Sequence, residues 1–477
     1  MNYSPGRCSA PTLVLLTAAA LFAIRLAGPP NLMDKDQERP ASYVLDAVRN
    51  SHWIVQHDWM GALTSKPPLY TWLSALATLP FERINRFSLY LPSALSVLVT
   101  ALIILRVGTA YFGSAAGLFA GMVLILSPIM SRQIALARTD ALFMCTVSLA
   151  AVAAFDAWTR GRGWTAFWVL AAIATLAKGP LGVVLAAGGL LAAFWETRSG
   201  RPAPLRGSHG VGILFYVLLT LGWFALAYHE AGPPLVERLF KRELLSQSVG
   251  GENMPAPFLN SYKPFAYFLH RFLPWSLPAC VGFWRVLARP AADEPQRRFE
   301  RFLFCWFFFG LLLFSIAAHQ RADLLSPILP AAALLGGREV ALWLKSVRSS
   351  LQLAGTVLVA ALVLGFNANY CAKQMVDPWV RKTLGMEQLA GKIREKVGDA
   401  PLVHVESPYT LQFYLNTMST MVSPQEAARL LAGSNRVYVT VCDFGLVRQH
   451  LPDGLAVREV ARWPESGEPF ARVVSNQ

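Results

Sequence analysis

The chain has 477 residues, of which 54% are hydrophobic and only 15% are charged. A mean hydropathy of +0.39 is too high for a soluble protein of this length, and the apolar residues occur in long runs. The net charge of +14 would suit nucleic acid, but no nucleic-acid motif is present, so we expect no nucleic-acid partner. In a protein with several membrane spans, such a charge is typical of basic loops and of contact with anionic lipid head groups.

The long apolar runs predict membrane-spanning helices, because about 20 helical residues are needed to cross about 30 Å of hydrocarbon. We expect an all-α polytopic membrane protein with about 11 to 13 transmembrane helices. The first run is interpreted as a retained helix rather than a cleaved signal peptide, because no A-x-A cleavage site follows it. The predicted helices lie at residues 11–28, 88–107, 113–131, 141–158, 164–177, 180–196, 210–229, 267–287, 301–318, 324–344 and 350–370.

The short loops between these helices predict the topology. With a cytoplasmic N-terminus, the short cytoplasmic loops carry a series of basic residues, as the positive-inside rule requires: Arg160, Arg198, Arg201, Arg289, Arg297, Lys345 and Arg348. Residues 1–370 are then a transmembrane domain whose first loop, residues 29–87, lies outside the cytoplasm. That loop is amphipathic, so we expect helices that lie along the membrane interface.

Residues 371–477 change character, because their charge density is that of an ordinary soluble domain. Helical patterns cover residues 387–397 and 425–432, and short buried strands are predicted at 401–406 and 436–441. Alternating strands and helices predict a small C-terminal α/β domain outside the cytoplasm. We interpret it as a cap or structural module, with acceptor recognition as the alternative.

The ionisable residues of the loops collect at one membrane face once the helices are threaded alternately. A lipid-facing structural protein has no reason to gather such costly groups, whereas an enzyme acting on a charged, lipid-linked substrate does. The residues at this face are Asp36, Lys66, Arg138, Asp140, Lys178 and Arg321.

These residues lie in short motifs whose order is informative. The motifs are Asp36-Gln37-Glu38-Arg39, His52-Trp53, Lys66-Pro67-Pro68-Leu69-Tyr70, Ala137-Arg138-Thr139-Asp140, Lys178-Gly179-Pro180 and His319-Gln320-Arg321. In order and spacing they resemble the motifs of the bacterial C-type glycosyltransferases that include lipid A aminoarabinose transferase and the protein O-mannosyltransferases. The resemblance is good over residues 30–200 and looser over residues 200–335.

The resemblance implies a C-type glycosyltransferase fold and a reaction. Such an enzyme moves a sugar from a polyprenyl-phosphate donor to an envelope acceptor on the periplasmic side of the bacterial inner membrane. The acceptor is lipid A or lipopolysaccharide, another glycan or lipid, or a protein. The alternatives are a transporter or flippase of lipid-linked sugars and a non-catalytic assembly protein, although transporter sites usually lie at the bilayer midplane.

The resemblance also implies roles for residues. Asp36 is the expected catalytic base that takes the proton from the acceptor hydroxyl, and Asp140 is the second acidic catalytic residue. The leaving lipid phosphate needs fixed cations in a partly dry site, where electrostatic stabilisation is largest. The expected substrate-binding residues are Arg39, Lys66, Tyr70, Arg138, Lys178 and Arg321.

Each of these residues also has a structural interpretation. Asp36 lies beside Asp34 and Glu38, which is typical of a solvated charge run. Asp140 stands at a predicted helix start and would suit an N-cap. Lys66 and Tyr70 would suit the membrane interface, where long and amphipathic side chains anchor a chain.

The sequence departs from the family at positions that concern a metal ion. Gln37 replaces the second residue of the usual acidic pair, and Ser65 replaces a glutamate that is a metal ligand in the aminoarabinose transferases. His52, His57 and His229 do not form a recognisable ligand spacing. We therefore expect no certain cofactor and no tightly bound metal, and we leave open a loosely bound divalent ion.

Overall fold

The computed structural model of the protein describes residues 9–29, 32, 35–201, 204–245, 260–345, 349–398 and 400–477. The described chain is mostly helical and divides into two compact units. The first contains most of the apolar helices and comprises residues Met1–Arg25, Ser65–Tyr70 and Tyr90–Ala368. The second comprises Leu26–Thr64, Thr71–Leu89 and Asn369–Gln477.

The apolar helices agree with the predicted spans. Eight helices in the described residues are long and apolar enough to cross a membrane: Ala10–Ala27, Arg86–Phe112, Thr139–Arg160, Leu181–Arg198, Gly210–Ala231, Glu294–Ile316, Ala322–Leu344 and Leu353–Met375. Three shorter apolar helices, Ser114–Leu126, Trp164–Lys178 and Ser276–Ala288, complete the eleven predicted segments. The all-α polytopic membrane fold is thus confirmed.

Several predicted spans are interrupted or displaced for local reasons. The helix predicted at 113–131 ends at Leu126, because Ser127 is extended and caps a new short helix with Pro128 at its start. The span Leu181–Arg198 contains a 3₁₀ turn at Gly188–Leu191. The helix predicted at 301–318 begins earlier, at Glu294, because the Asp293 side chain accepts from the Gln296 backbone N–H and caps it.

Small residues allow close helix packing in the first unit. A Cβ added to Gly337 would lie 2.4 Å from the backbone nitrogen of Ala120, so the helix Leu329–Leu344 packs directly on Ser114–Leu126. A Cβ at Gly182 would similarly lie 2.8 Å from the Ala174 backbone. Small residues at such crossings are typical of membrane helices, where dispersion contacts replace the hydrophobic effect between helices.

A second feature of this unit is a buried cluster of arginine and glutamate side chains. Arg301 donates to Glu196 at 2.8 Å, and Arg338 pairs with Glu300 and, at 2.8 Å, with Glu339. The three glutamates are at most 2% exposed, so each carboxylate requires its cationic partners. Arg297, which we predicted in a cytoplasmic loop, lies within the helix Glu294–Ile316, as does Arg301.

The second unit combines the first loop with the C-terminal segment. The loop predicted at 29–87 contains the helices Lys35–Arg49 and Leu69–Thr78. Within the unit, the Trp59 ring stacks on Tyr409 with ring centroids 5.2 Å apart, and the Met421 backbone N–H donates to the Trp59 carbonyl at 3.3 Å. No local pattern of residues predicts that these two stretches, which are far apart in the chain, pack together.

The C-terminal segment is an α/β domain, as predicted. Its four strands are β1 (Leu402–Val405), β2 (Tyr438–Val441), β3 (Arg458–Trp463) and β4 (Ala471–Ser475). They lie in the order β1-β2-β4-β3 in one sheet. The pair β1–β2 is parallel, and the pairs β2–β4 and β3–β4 are antiparallel. The strands β3 and β4 were missed, and so were the short helices Tyr409–Leu415 and Phe444–Arg448.

Both faces of this sheet are covered, so the inner strand Tyr438–Val441 is buried along its whole length. On one face Tyr438 and Val473 pack with residues of the helices Pro378–Val397 and Tyr409–Leu415. On the other face Val439 and Val474 pack with residues of Pro424–Leu431 and Phe444–Arg448. Successive strand residues point to opposite faces, so neighbouring residues such as Tyr438 and Val439 enter different cores.

We expect Gly337→Ala to destabilise the protein by about 1–3 kcal/mol, because the added methyl group would press on the Ala120 backbone. Gly355→Ala is the matched control, since no atom lies within 4 Å of its added Cβ. Thermal unfolding of the purified protein in detergent measures both. Equal unfolding midpoints for the two variants would contradict this packing.

Candidate active site

Asp140 is the centre of the polar cluster in the first unit. It lies in the first turn of the helix Thr139–Arg160 and is 5% exposed. Lys178 Nζ donates to its Oδ1, and Arg138 Nε lies 3.6 Å from its Oδ2. The N-cap residue is Arg138, and no side-chain hydrogen bond caps the helix. The N-cap interpretation of Asp140 is therefore wrong, and its carboxylate holds two cations.

The local sequence explains how Lys178 reaches this carboxylate. The helix Trp164–Lys178 ends at Lys178 because Gly179 adopts φ +107°, which L-residues rarely tolerate, and Pro180 follows. This helix packs on Thr139–Arg160 after the short turn Gly161–Gly163, so its end returns to the start of that helix. The Lys178 ammonium also lies 5.7 Å from the centroid of the Phe143 ring.

Arg138 joins a third segment to the cluster. Its NH1 donates to Asp323 Oδ2 at 2.8 Å, and Asp323 lies in the 3₁₀ helix Ala322–Ile328. Arg321 is the N-cap residue of that helix, two positions from Asp323. We predicted a substrate-binding role for Arg321 from the sequence and none for Asp323. The sequence feature that could have indicated a role for Asp323 is its position, two residues after Arg321 and directly before the span predicted at 324–344.

Lys66 and Tyr70 take different positions around this cluster. The partly buried Lys66 interacts electrostatically with the Asp140 carboxylate. Tyr70 is only 1% exposed, and its hydroxyl donates to the Leu136 carbonyl at 3.4 Å. The Ser93 hydroxyl donates to the same carbonyl at 2.7 Å. These bonds fix the turn that presents Arg138, so Tyr70 is not an exposed interface anchor, and its contact with a substrate stays a prediction.

A cavity of about 510 Å³ adjoins the cluster. Lys66 and Lys178 contribute charged side chains to its lining. The ring of His319 and the hydroxyl groups of Thr175 and Tyr216 are further polar groups in the lining. Most of the remaining surface is apolar and includes Phe143, Trp223, Phe224, Phe240, Phe314 and Leu324. The cavity thus offers cationic groups and an extensive apolar wall to the same ligand.

The five described side chains of the cluster beside the cavity leave a cationic surplus. Lys66, Lys178 and Arg138 carry three positive charges, and Asp140 and Asp323 carry two negative charges, which leaves one positive charge. The carboxylates hold the cations in place without neutralising all of them. Such an arrangement suits an anion whose charge grows during a reaction, as on a departing phosphate.

The remaining predicted residues belong to the second unit. Asp36 lies at the start of the helix Lys35–Arg49, but its side chain falls outside the described part of the structure, so its role as base stays a prediction. The Arg39 side chain is 55% exposed, and its Nε lies 3.6 Å from Asp58 Oδ2. Its role in substrate binding is likewise a prediction.

The second unit also brings together three side chains that our sequence analysis did not connect. His52 Nδ1 lies 3.0 Å from Asp46 Oδ1, and His57 Nδ1 lies 3.4 Å from Asp46 Oδ2. Burial alone would raise the pKa of the Asp46 carboxyl, but hydrogen bonds from His57, Asn50 and His52 outweigh it and lower that pKa below its usual value. Asp46 is therefore ionised at neutral pH.

Comparison with known sequences supports the relationship that the motifs indicated. Residues 65–223 match the model of the dolichyl-phosphate-mannose-protein mannosyltransferase family. An undecaprenyl phosphate-alpha-4-amino-4-deoxy-L-arabinose arabinosyl transferase of Pseudomonas fluorescens is 26% identical over 333 residues, which are 68% of this chain and 59% of that protein. The Proteus mirabilis protein of the same name is 24% identical over 331 residues, 66% of this chain and 57% of that one.

Solved structures share the fold. The crystal structure of ArnT from Cupriavidus metallidurans bound to undecaprenyl phosphate has a TM-score of 0.72 with this structure at 18% sequence identity. The superposition covers 98% of this chain and 97% of the ArnT chain. An oligosaccharyltransferase of Archaeoglobus fulgidus has a TM-score of 0.57 at 12% identity, over 91% of this chain and 69% of its own. The chain spans less than two thirds of the two arabinosyl transferases above. The predicted resemblance to this group and the C-type glycosyltransferase fold are confirmed.

The Asp140–Lys178 pair can be tested through stability alone. Asp140→Asn leaves the largely buried Lys178 without its carboxylate, and Lys178→Met leaves Asp140 without one of its cations, so each change should cost up to about 3–5 kcal/mol. The double variant removes both charges, so its loss should be smaller than the sum of the two by about 1–3 kcal/mol. Thermal unfolding of the four proteins measures this coupling. Strictly additive losses would exclude the pairing.

Proposed function

We propose that this protein is an integral-membrane glycosyltransferase that takes a sugar from a polyprenyl-phosphate donor and transfers it to an envelope acceptor. The observation that carries the proposal is the cavity of about 510 Å³, which combines the cations Lys66 and Lys178 with an extensive apolar wall. A polyprenyl-phosphate sugar has the matching parts, an apolar chain and an anionic phosphate. The names of the relatives, which are transferases acting from lipid-phosphate carriers, support the same reaction.

The donor fits the charges of the site at each stage. The phosphodiester of the donor carries one negative charge, and the phosphate that leaves carries nearly two, because its second pKa is about 6. Lys66, Lys178 and Arg138 stabilise this increase, and the bond to the leaving oxygen weakens as they do so. Arg138 is held by Asp323 and lies beside Asp140, so its guanidinium group is fixed before the donor arrives.

The acceptor is activated by a carboxylate other than Asp140. Both oxygens of Asp140 already face cationic groups, so we assign this residue to the orientation of Lys178 and Arg138. Asp36 takes the proton from the acceptor hydroxyl, whose oxygen attacks the anomeric carbon from the side opposite the phosphate. The carbon–oxygen bond to the phosphate breaks in the same step, and the lipid phosphate leaves.

The setting is the bacterial inner membrane, with the site on the periplasmic side. The acceptor is lipid A or lipopolysaccharide, another envelope glycan or lipid, or a protein. None of the relatives and structures reported above is named as a transporter, and the polar cluster lies at helix ends, so we do not favour transport of lipid-linked sugars.

The first test compares envelope lipids, glycans and proteins by mass spectrometry. Cells that express the wild type should show an acceptor whose mass is increased by one sugar, and cells that lack the protein should not. Lys178→Gln should lower the transfer rate per amount of folded protein in membrane vesicles by about 100-fold to 1,000-fold, because one stabilising charge is lost. Lys345→Gln, which changes an exposed lysine outside the cavity lining, should retain the wild-type rate. Identical acceptor masses with and without the protein would refute transfer.

The role of Asp36 is tested separately. Asp36→Asn keeps the size of the side chain and removes the base, so the transfer rate should fall by about 100-fold to 10,000-fold, while the amount of protein in the membrane stays constant. Asp453→Asn, at an exposed position of the C-terminal segment, is the control for loss of one carboxylate. A near wild-type rate for Asp36→Asn would assign the base to another residue.

A further inference from the structure

The cluster of Asp46, His52 and His57 has the composition of a metal site. One ligand atom from each residue, a carboxylate oxygen or an imidazole nitrogen, lies within 4.8 Å of the others. The two histidine rings lie side by side with centroids 5.3 Å apart and planes inclined at 64°. Both rings turn the same nitrogen, Nδ1, towards the carboxylate.

The distances from the Asp46 carboxylate to the two imidazoles are close to those between neighbouring ligands of a tetrahedral zinc ion. Zinc bonds of about 2.0–2.2 Å to nitrogen and oxygen place neighbouring ligands about 3.4 Å apart. His57 Nδ1 lies 3.4 Å from Asp46 Oδ2, and His52 Nδ1 lies 3.0 Å from Oδ1 and 3.1 Å from Oδ2.

We propose that Asp46, His52 and His57 bind one zinc ion, with water in the remaining position. Imidazole nitrogens with a single carboxylate suit Zn²⁺, whereas Mg²⁺ prefers oxygen ligands. The carboxylate is buried with 2% of its side chain exposed, and the histidine side chains are 44% and 37% exposed. Solvent thus reaches the ion from the histidine side, so the ion exchanges and does not lie in a closed structural site.

The surrounding hydrogen bonds orient the ligands before the ion binds. The Asn50 side chain donates to Asp46 Oδ1 at 2.8 Å, and the His57 backbone N–H donates to Asp46 Oδ2 at 2.7 Å. Such outer contacts commonly fix the direction of a metal ligand. Without an ion, the same carboxylate accepts hydrogen bonds from both imidazoles, which is the competing interpretation that the experiment must exclude.

The ion would fasten the end of one helix to the segment that follows it. Asp46 lies in the helix Lys35–Arg49, His52 follows Ser51 in a left-handed conformation at φ 60°, and His57 pairs with Leu63 across a tight hairpin. Zinc would close this short loop and stabilise the hairpin. The site uses none of the residues assigned to sugar transfer, so the two proposals fail independently.

The experiment uses the full chain in detergent, with any affinity tag removed and metal stripped by a chelator. Zn²⁺ is titrated against a chromophoric chelator, and bound metal is counted by plasma mass spectrometry after gel filtration. We expect one zinc ion per chain. Loss of an outer contact alone weakens metal binding by about 10-fold to 100-fold, so His57→Ala should raise the zinc dissociation constant by at least about 100-fold.

The controls separate metal binding from folding. His52→Ala and His57→Ala change partly exposed side chains, and their metal-free unfolding midpoints should remain close to that of the metal-free wild type. His450→Ala removes an exposed histidine elsewhere in the same unit and should retain full zinc affinity. Zinc binding that persists in the His52→Ala/His57→Ala double variant, or no zinc binding by the wild type, would overturn the proposal.

Discussion

The carboxylate of Asp140 between Lys178 and Arg138 is the contact on which the candidate site depends. Charged groups at the ends of membrane helices must be paired, because a partly dry environment penalises an isolated charge strongly. Asp140 meets this requirement for two cations at once, and Asp323 holds Arg138 from a third segment. The same contacts that stabilise the helix ends therefore fix the cations that a phosphate would meet.

The chain contains a second buried charge cluster, and charge alone does not distinguish it from the first. In this cluster four arginines surround three glutamates, which again leaves one positive charge in excess. The arginines are Arg285, Arg297, Arg301 and Arg338, and the glutamates are Glu196, Glu300 and Glu339. The cavity makes the difference, since Lys66 and Lys178 line it and none of these seven residues does. This cluster, in which all the residues except the partly exposed Arg285 are buried, is best understood as a structural connection between helices.

The metal site that the sequence resemblance implied and the cluster of Asp46, His52 and His57 involve different residues. Ser65 stands where the motif resemblance implies a metal-binding glutamate, and for this reason we expected no tightly bound metal. The cluster of Asp46, His52 and His57 lies at other positions and opens to solvent. This cluster is compatible with the loosely bound divalent ion that we left open from the sequence. Its three residues are separated by 6 and 5 positions in the chain, a spacing that matches no familiar ligand motif.

The sequence by itself determined the eleven apolar segments, the α/β character of the C-terminal segment and the resemblance of the motifs, because hydropathy and motif order are local properties. It also indicated that Lys66, Arg138, Asp140 and Lys178 share one face, since alternate threading of helices fixes their side. Only the tertiary structure decided that Asp323, 185 positions from Arg138, is its partner. It also decided that Asp46 joins two histidines, and that residues of the first loop share a unit with Asn369–Gln477. These contacts depend on how helix ends and turns meet in space, which no local pattern of residues specifies.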